Sequence, residues 1–104
     1  MEESTFATIP GRGKTVSLSG ELDLASRHSL RATFEEAAAT SCDVTVDMTE
    51  VTYMDSSAIS ALISLHRELY ERNRSMRIRM RRNAAYRLLE IAGLNTIFEM
   101  EIVG

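Results

Sequence analysis

The chain has 104 residues, 44% of them hydrophobic and 26% charged, with a net charge of −3, one cysteine, one proline and no tryptophan. That length supports one domain, able to bury roughly two-thirds of its unfolded surface, and these ordinary fractions exclude disorder and fibrous repeats. No run approaches the roughly 18 apolar residues of a bilayer crossing, and the acidic balance gives no general attraction to nucleic acid or anionic lipid. A secretory leader opens on basic residues, where this chain has Glu2 and Glu3. The expectation is a single cytoplasmic domain over residues 1–104, with no direct nucleic-acid partner and no membrane insertion. Cys42 alone supports neither an internal disulfide nor a cysteine metal site, and His28 and His66 lie in no zinc-type spacing.

In chain order, Thr5 to Ile9 reads as a short strand ending at the turn Pro10-Gly11-Arg12-Gly13. Val16 and Leu18 then alternate with Thr15, Ser17 and Ser19, a period of two. Beyond Gly20 the period changes. Leu30, Phe34, Ala37 and Ala38 recur at helical spacing, which predicts a helix from Ser26 to about Thr40. Alternation returns at Asp43 to Met48, followed by a loop. After Asp55-Ser56-Ser57 comes an amphipathic helix whose expected apolar stripe is Ile59, Leu62, Ile63, Leu69 and Tyr70, with His66 packed inside it. Glu68 stands four residues before Arg72, the favourable order for a helix-surface pair. Met76, Ile78 and Met80 alternate with Arg77 and Arg79 in the next strand. Asn83 is placed to cap a helix from Ala84 to Ala92, with Leu88 and Leu89 inward and Gly93 as a left-handed terminator. Ile97 to Val103 is the expected last strand.

Interior strands of a sheet covered on both faces read as continuous apolar runs. Here VTVDM and MRIRM each keep one polar face, and burying Arg77 and Arg79 without partners would be costly. The predicted fold class is therefore α/β, a small mixed β-sheet with helices packed on one face. Arginines crowd the second half of the chain (Arg67, Arg72, Arg74, Arg77, Arg79, Arg81, Arg82 and Arg87), either as solvated faces of helix and strand or as a basic docking surface.

Enzymatic signatures are sparse. No G-x-S-x-G elbow surrounds a serine, there is no P-loop or G-x-G-x-x-G, and neither histidine is spaced to serve a serine as base. Asp23, Asp43, Asp47, Glu50 and Asp55 could suggest a magnesium site, but sequence order does not establish the convergent oxygens a metal needs, and no cofactor and no metal are expected. The informative place is Asp55-Ser56-Ser57. Asp and Ser ahead of a helix accept hydrogen bonds from its unpaired N–H groups, which accounts for one or two of these residues. A serine at a helix start is also an exposed phosphate acceptor, where about −1.5 to −2 charges would arrive beside Asp55.

The segments Ser19-Gly20-Glu21-Leu22-Asp23, Val44-Thr45-Val46-Asp47-Met48, Val51-Thr52-Tyr53-Met54-Asp55-Ser56-Ser57-Ala58 and Leu88-Leu89-Glu90-Ile91-Ala92-Gly93-Leu94, in this order, resemble the STAS domain. More narrowly, the set resembles bacterial anti-sigma factor antagonists, and it covers nearly the whole chain. The resemblance implies partner switching by a non-enzymatic domain. An unmodified antagonist binds an anti-sigma factor that is itself a serine kinase, which frees a sigma factor; the kinase phosphorylates the second serine of the Asp-Ser-Ser motif, and a phosphoserine phosphatase resets it. Carried over, that serine is Ser57, and the partner-binding surface comprises Glu21, Asp23, Asp55, Ser56, Ser57 and Ala58. The family usually has glycine where this chain has Ala58, which is expected to add a methyl at the contact. A monomer is the expected state. Two alternatives stand beside this reading. One is a STAS interaction subunit that works without phosphorylation, such as a lipid-transporter subunit or a signalling scaffold. The other is a small hydrolase with His28 or His66 near Ser57.

Overall fold

A computed structural model of the chain describes the backbone of residues 4–9, 13–40 and 42–104, with side chains described from Gly13 onward. Five strands lie in the sheet in sequence order: β1 (Ser4–Ile9), β2 (Gly13–Leu22), β3 (Val44–Met54), β4 (Met76–Met80) and β5 (Glu99–Ile102). β1 runs antiparallel to β2, and β2 through β5 are mutually parallel. The helices α1 (Arg27–Ala38), α2 (Ser56–Glu71) and α3 (Ala84–Ile91) fill the three crossovers. Each crossover steps to the next strand in the same direction. Connections of one hand therefore place all three helices on one face. Residues 10–12 of the predicted first turn lie outside the described residues.

Burial follows that arrangement. Val16 and Leu18 of β2, Val44, Val46 and Met48 of β3, and Met76, Ile78 and Met80 of β4 all point beneath the helices and are buried. Leu30 and Phe34 of α1, Leu62, Leu65 and Leu69 of α2, and Leu89 of α3 meet them. The opposite face carries the alternate residues and stays polar. There the register sets Thr45, Arg77 and Glu99 in one row and Asp47, Arg79 and Glu101 in the next. Arg77 reaches Glu99 at 2.6 Å, and Arg79 lies between Asp47 at 3.3 Å and Glu101 at 3.4 Å. These pairs are solvent-screened and contribute little stability, but they keep charge on the open face and hold the edge strand in register.

Several boundaries differ from the sequence expectation, each for a physical reason. The loop predicted after Met48 is strand: β3 continues to Met54 alongside β2, and the register slips between Ser17 and Ser19 and again between Gly20 and Glu21. Each slip adds a residue on β3. Two bulges therefore break the period of two that the eye follows, and the inward residues become Val51 and Met54. Pairing with β4 stops at Asp47↔Arg79, and farther along the Asn83 side-chain amide donates to the Val51 carbonyl at 2.9 Å. The expected helix from Ser26 begins as a single 3₁₀ turn at Leu24–Ser26 and becomes α-helical at Arg27. The last strand starts at Glu99, two residues late, because a second 3₁₀ turn (Leu94–Thr96) precedes it.

Tyr70 does not belong to the α2 stripe. It is 74% exposed, and Leu65 takes the inward position. His66 packs as expected, its ring 5.4 Å from that of Phe98 and 6.4 Å from that of Tyr70. Arg72 does not pair with Glu68 but donates to the Ala38 carbonyl, where the end of α1 favours a cation. Asn83 caps α3 by accepting from the Tyr86 N–H at 3.1 Å, and Gly93 takes φ +77°.

Gly13 is required where β2 starts. Its φ is +96°, and a Cβ there would lie 2.4 Å from the Asp43 carbonyl oxygen. That carbonyl accepts from the Lys14 N–H at 2.9 Å, and the Asp43 carboxylate accepts from the Ser75 N–H at 3.0 Å, so one residue joins the starts of three strands. Gly13→Ala is expected to lower the unfolding free energy by about 2 kcal/mol or more, from backbone strain plus displacement of Asp43. Urea denaturation measures this, and a loss below about 0.5 kcal/mol would contradict the account.

Candidate functional site

The carboxyl ends of β2 and β3 lie side by side, and each runs into an aspartate with extended backbone, Asp23 and Asp55. The Asp55 N–H donates to the Leu22 carbonyl at 3.0 Å, which fixes the two turns together. Asp23 forms a capping box with Ser26. Its Oδ1 accepts from the Ala25 N–H at 3.1 Å, and its own N–H donates to Ser26 Oγ at 2.9 Å.

Asp55 caps α2. Its Oδ1 accepts from the Ser57 N–H at 3.0 Å, the Ala58 N–H at 3.2 Å and the Ser57 hydroxyl at 2.6 Å. The Ser57 hydroxyl is the foremost cause that holds the Asp55 carboxyl below its ordinary range. Burial opposes it less strongly, and the Ala58, Ser57 and Leu24 N–H groups each add a still smaller effect in the same direction as the hydroxyl. Through Leu24, the Asp55 carboxylate reaches across to the turn after β2.

Ser56 is exposed and Ser57 half-buried, so the Ser57 hydroxyl stands at the rim of the domain. Glu21 is exposed at the end of β2, in register with Tyr53 on β3. Ala58 behaves differently from expectation. It is 1% exposed, so its methyl enters the core and adds nothing to a contact surface. Two apolar side chains that sequence reasoning missed flank the motif: Leu24 is 64% exposed and Tyr53 45%. Neither stands out in the sequence, because Leu24 lies just past the end of β2 and Tyr53 in the bulged half of β3, where the period of two is broken.

Ser57 also lines a groove of about 410 Å³ between α1 and α2. Arg27 and Arg31 form part of its α1 wall, Ser60 and Ser64 continue the α2 wall, and Phe34 and Leu65 lie at its base. Neither arginine was singled out by the sequence, where they are two charges on a polar helix face.

The hydrolase alternative finds no support here: among the described residues no histidine hydrogen-bonds Ser57, whose hydroxyl is committed to Asp55. Also among the described residues, no group of three or more His, Cys, Asp or Glu side chains converges to hold a metal ion. No helix among them is long and apolar enough to cross a membrane. Of the crowded arginines, Arg77 and Arg79 are ion-paired on the open sheet face, Arg72 binds the end of α1, and Arg82 lies 5.6 Å from the Tyr86 ring centre.

A family model described as "Mlab, STAS domain" matches residues 6–103. No curated protein matches the chain in sequence. Among solved structures, an anti-sigma factor antagonist from Mycobacterium paratuberculosis superposes with a TM-score of 0.88 at 20% identity, over 97% of this chain and 86% of that one. The anti-sigma factor antagonist SpoIIAA in its unphosphorylated form gives 0.74 at 17% identity, over 98% and 90%. The Bacillus cell fate determinant SpoIIAA in its phosphorylated form gives 0.67 at 18% identity, over 98% and 92%. At such identities the likeness is one of fold.

The capping geometry sets a testable stability. Asp55→Ala removes the acceptor for two backbone N–H groups and is expected to cost about 1 kcal/mol at pH 7. The folded carboxyl is held below its usual 3.8, so its contribution is complete above that value and fades as pH falls through the lower folded value. Denaturation curves of the two proteins should therefore converge below about pH 4. A gap that stays constant to pH 2.5 would contradict this.

Proposed function

The chain belongs to the STAS domain family, and from that premise we propose that it is an anti-sigma factor antagonist controlled by phosphorylation of Ser57. Unmodified, it binds an anti-sigma factor of the serine-kinase type and so releases a sigma factor. A phosphoserine phosphatase restores the unmodified form. The protein acts in this reading as a cytoplasmic monomer and a binding partner, not as an enzyme.

The observation that carries this reading is the place of Ser57. Its hydroxyl is at the rim, on the second residue of α2, within a surface that also presents Glu21, Asp23, Ser56 and the exposed Leu24 and Tyr53. A mixed apolar and acidic patch of this kind suits a partner that buries the two apolar side chains at its centre. That SpoIIAA, of the same fold, has been solved both with and without a phosphate supports a modification of this domain type.

The chemistry needs little from this chain. The kinase brings ATP and Mg²⁺, and its base takes the Ser57 hydroxyl proton. Ser57 Oγ then bonds to the γ-phosphorus as the bond to the β-phosphate oxygen breaks, leaving ADP. Asp55 holds the hydroxyl in a fixed direction beforehand. The added charge meets the partner face, where like-charge contact costs several kcal/mol, and about 1.4 kcal/mol is tenfold in affinity. Release then needs no refolding.

The same 2.6 Å bond favours a second reading, a STAS interaction subunit whose Ser57 hydroxyl serves only to complete the α2 cap. Incubation with the cognate kinase and ATP, followed by peptide mass spectrometry, separates the two. The first reading expects one phosphate on Ser57 and none on Ser57→Ala. It also expects Ser57→Ala to bind the anti-sigma factor within about threefold of wild type, and Ser57→Asp to bind at least about tenfold more weakly by titration calorimetry. Phosphate on Ser56 or Ser60 with Ser57 untouched would overturn the assignment, and no phosphate at all would favour the second reading.

A further inference from the structure

The groove between α1 and α2 has a charge distribution that the switch as described does not use. α1 and α2 both start at the carboxyl end of the sheet, so they run side by side in the same direction. Arg27 is the first residue of α1 and Ser57 the second of α2, which puts them level with each other. Arg31 is one turn further along the same helix face, and both arginines line the groove together with Ser57. Neither guanidinium forms an ion pair with a described residue. Of the acids of the groove, Glu35 stands one turn beyond Arg31 on α1, about 6 Å along the axis, without pairing with it, and Glu68 stands eleven residues beyond Ser57, about 16 Å along α2. Glu68 is thus beyond the roughly 8 Å screening length at physiological salt, and Glu35 competes for Arg31 but leaves Arg27, eight residues away on α1, to an anion at Ser57.

Esterification changes what Ser57 Oγ can do. The hydroxyl proton that it donates to Asp55 is lost, and a dianionic phosphate would be set against the Asp55 carboxylate. The Asp55 cap survives through the Ser57 and Ala58 N–H groups, so the helix start stays in place while the phosphate must turn away from Asp55. The groove offers it two guanidinium groups, the side chains best matched to phosphate oxygens.

We propose that Arg27 and Arg31 receive the phosphate on Ser57, so that modification closes a bridge across the α1–α2 groove. The bridge rests on Ser57 as the modified residue, and it withdraws two cations from the surface at the moment an anion is added. The modified form thereby differs from the unmodified form on both walls of the groove.

The test uses full-length protein with phosphoserine installed at position 57 by genetic encoding, which needs no kinase. The second ionisation of the phosphate, monoanion to dianion, is followed by phosphorus NMR in wild type, in R27Q/R31Q and in the charge-matched control R67Q/R74Q. Loss of the bridge is expected to raise the midpoint in R27Q/R31Q by about half a pH unit or more, with the control staying near wild type. Equal midpoints in wild type and R27Q/R31Q, or an equal rise in the control, would overturn the bridge. Should the double variant fail to fold, the Nε–Hε resonances of Arg27 and Arg31 in wild type decide. They should shift selectively when the phosphate is present, and no shift would overturn the proposal. Because the phosphoserine is encoded and no kinase is involved, a failed bridge leaves the kinase assignment standing, and a failed kinase assay leaves the bridge standing.

Discussion

One carboxylate organises the working end of this domain. Asp55 accepts the first N–H groups of α2, holds the Ser57 hydroxyl, faces the Leu24 N–H and belongs to a residue whose own N–H is tied to Leu22. Four demands converge on one side chain: end β3, start α2, fix the turn after β2 and aim a hydroxyl. Because most of its partners are backbone groups, the arrangement depends on chain path more than on neighbouring side chains. The hydroxyl is the one member that can be chemically altered without removing the cap.

The rest of the fold makes that end available. Helices on one face leave the other face of the sheet to charged rows, and the parallel order brings the starts of α1, α2 and α3 to a common edge. Ligand and partner sites in open α/β sheets gather at the carboxyl ends of the strands for this reason. Here the edge carries Asp23, Asp55 and Asn83 as successive caps, each with extended backbone, so three turns are held by the same local device.

Much of this could be read from residues alone. The alternation of Val44, Val46 and Met48 and of Met76, Ile78 and Met80 located two central strands and, through Arg77 and Arg79, the open face. Asp55, Asn83 and Gly93 marked boundaries because capping is local chemistry. What escaped was non-local. The bulged half of β3 has no period of its own and exists because β2 pairs with it. Tyr70 and Leu65 exchange roles because the position of the neighbouring strands, not helical spacing, decides which edge of the stripe is covered. Leu24 and Tyr53 came to the surface, and Arg27 and Arg31 came to share a groove with Ser57, only when two loops and two helices were set beside each other.

The hydrogen bond from Asn83 to Val51 has a further consequence. Beyond Asp47 the strand outruns its β4 neighbour and leaves backbone groups on that side without a ladder partner from β4. A side-chain amide carries the same donor as a peptide group, so Asn83 acts as a one-residue substitute for the missing ladder. With its carbonyl oxygen it caps its own helix, and with its nitrogen it occupies the naked acceptor. A single asparagine thus starts a helix and stands in for one rung of the sheet.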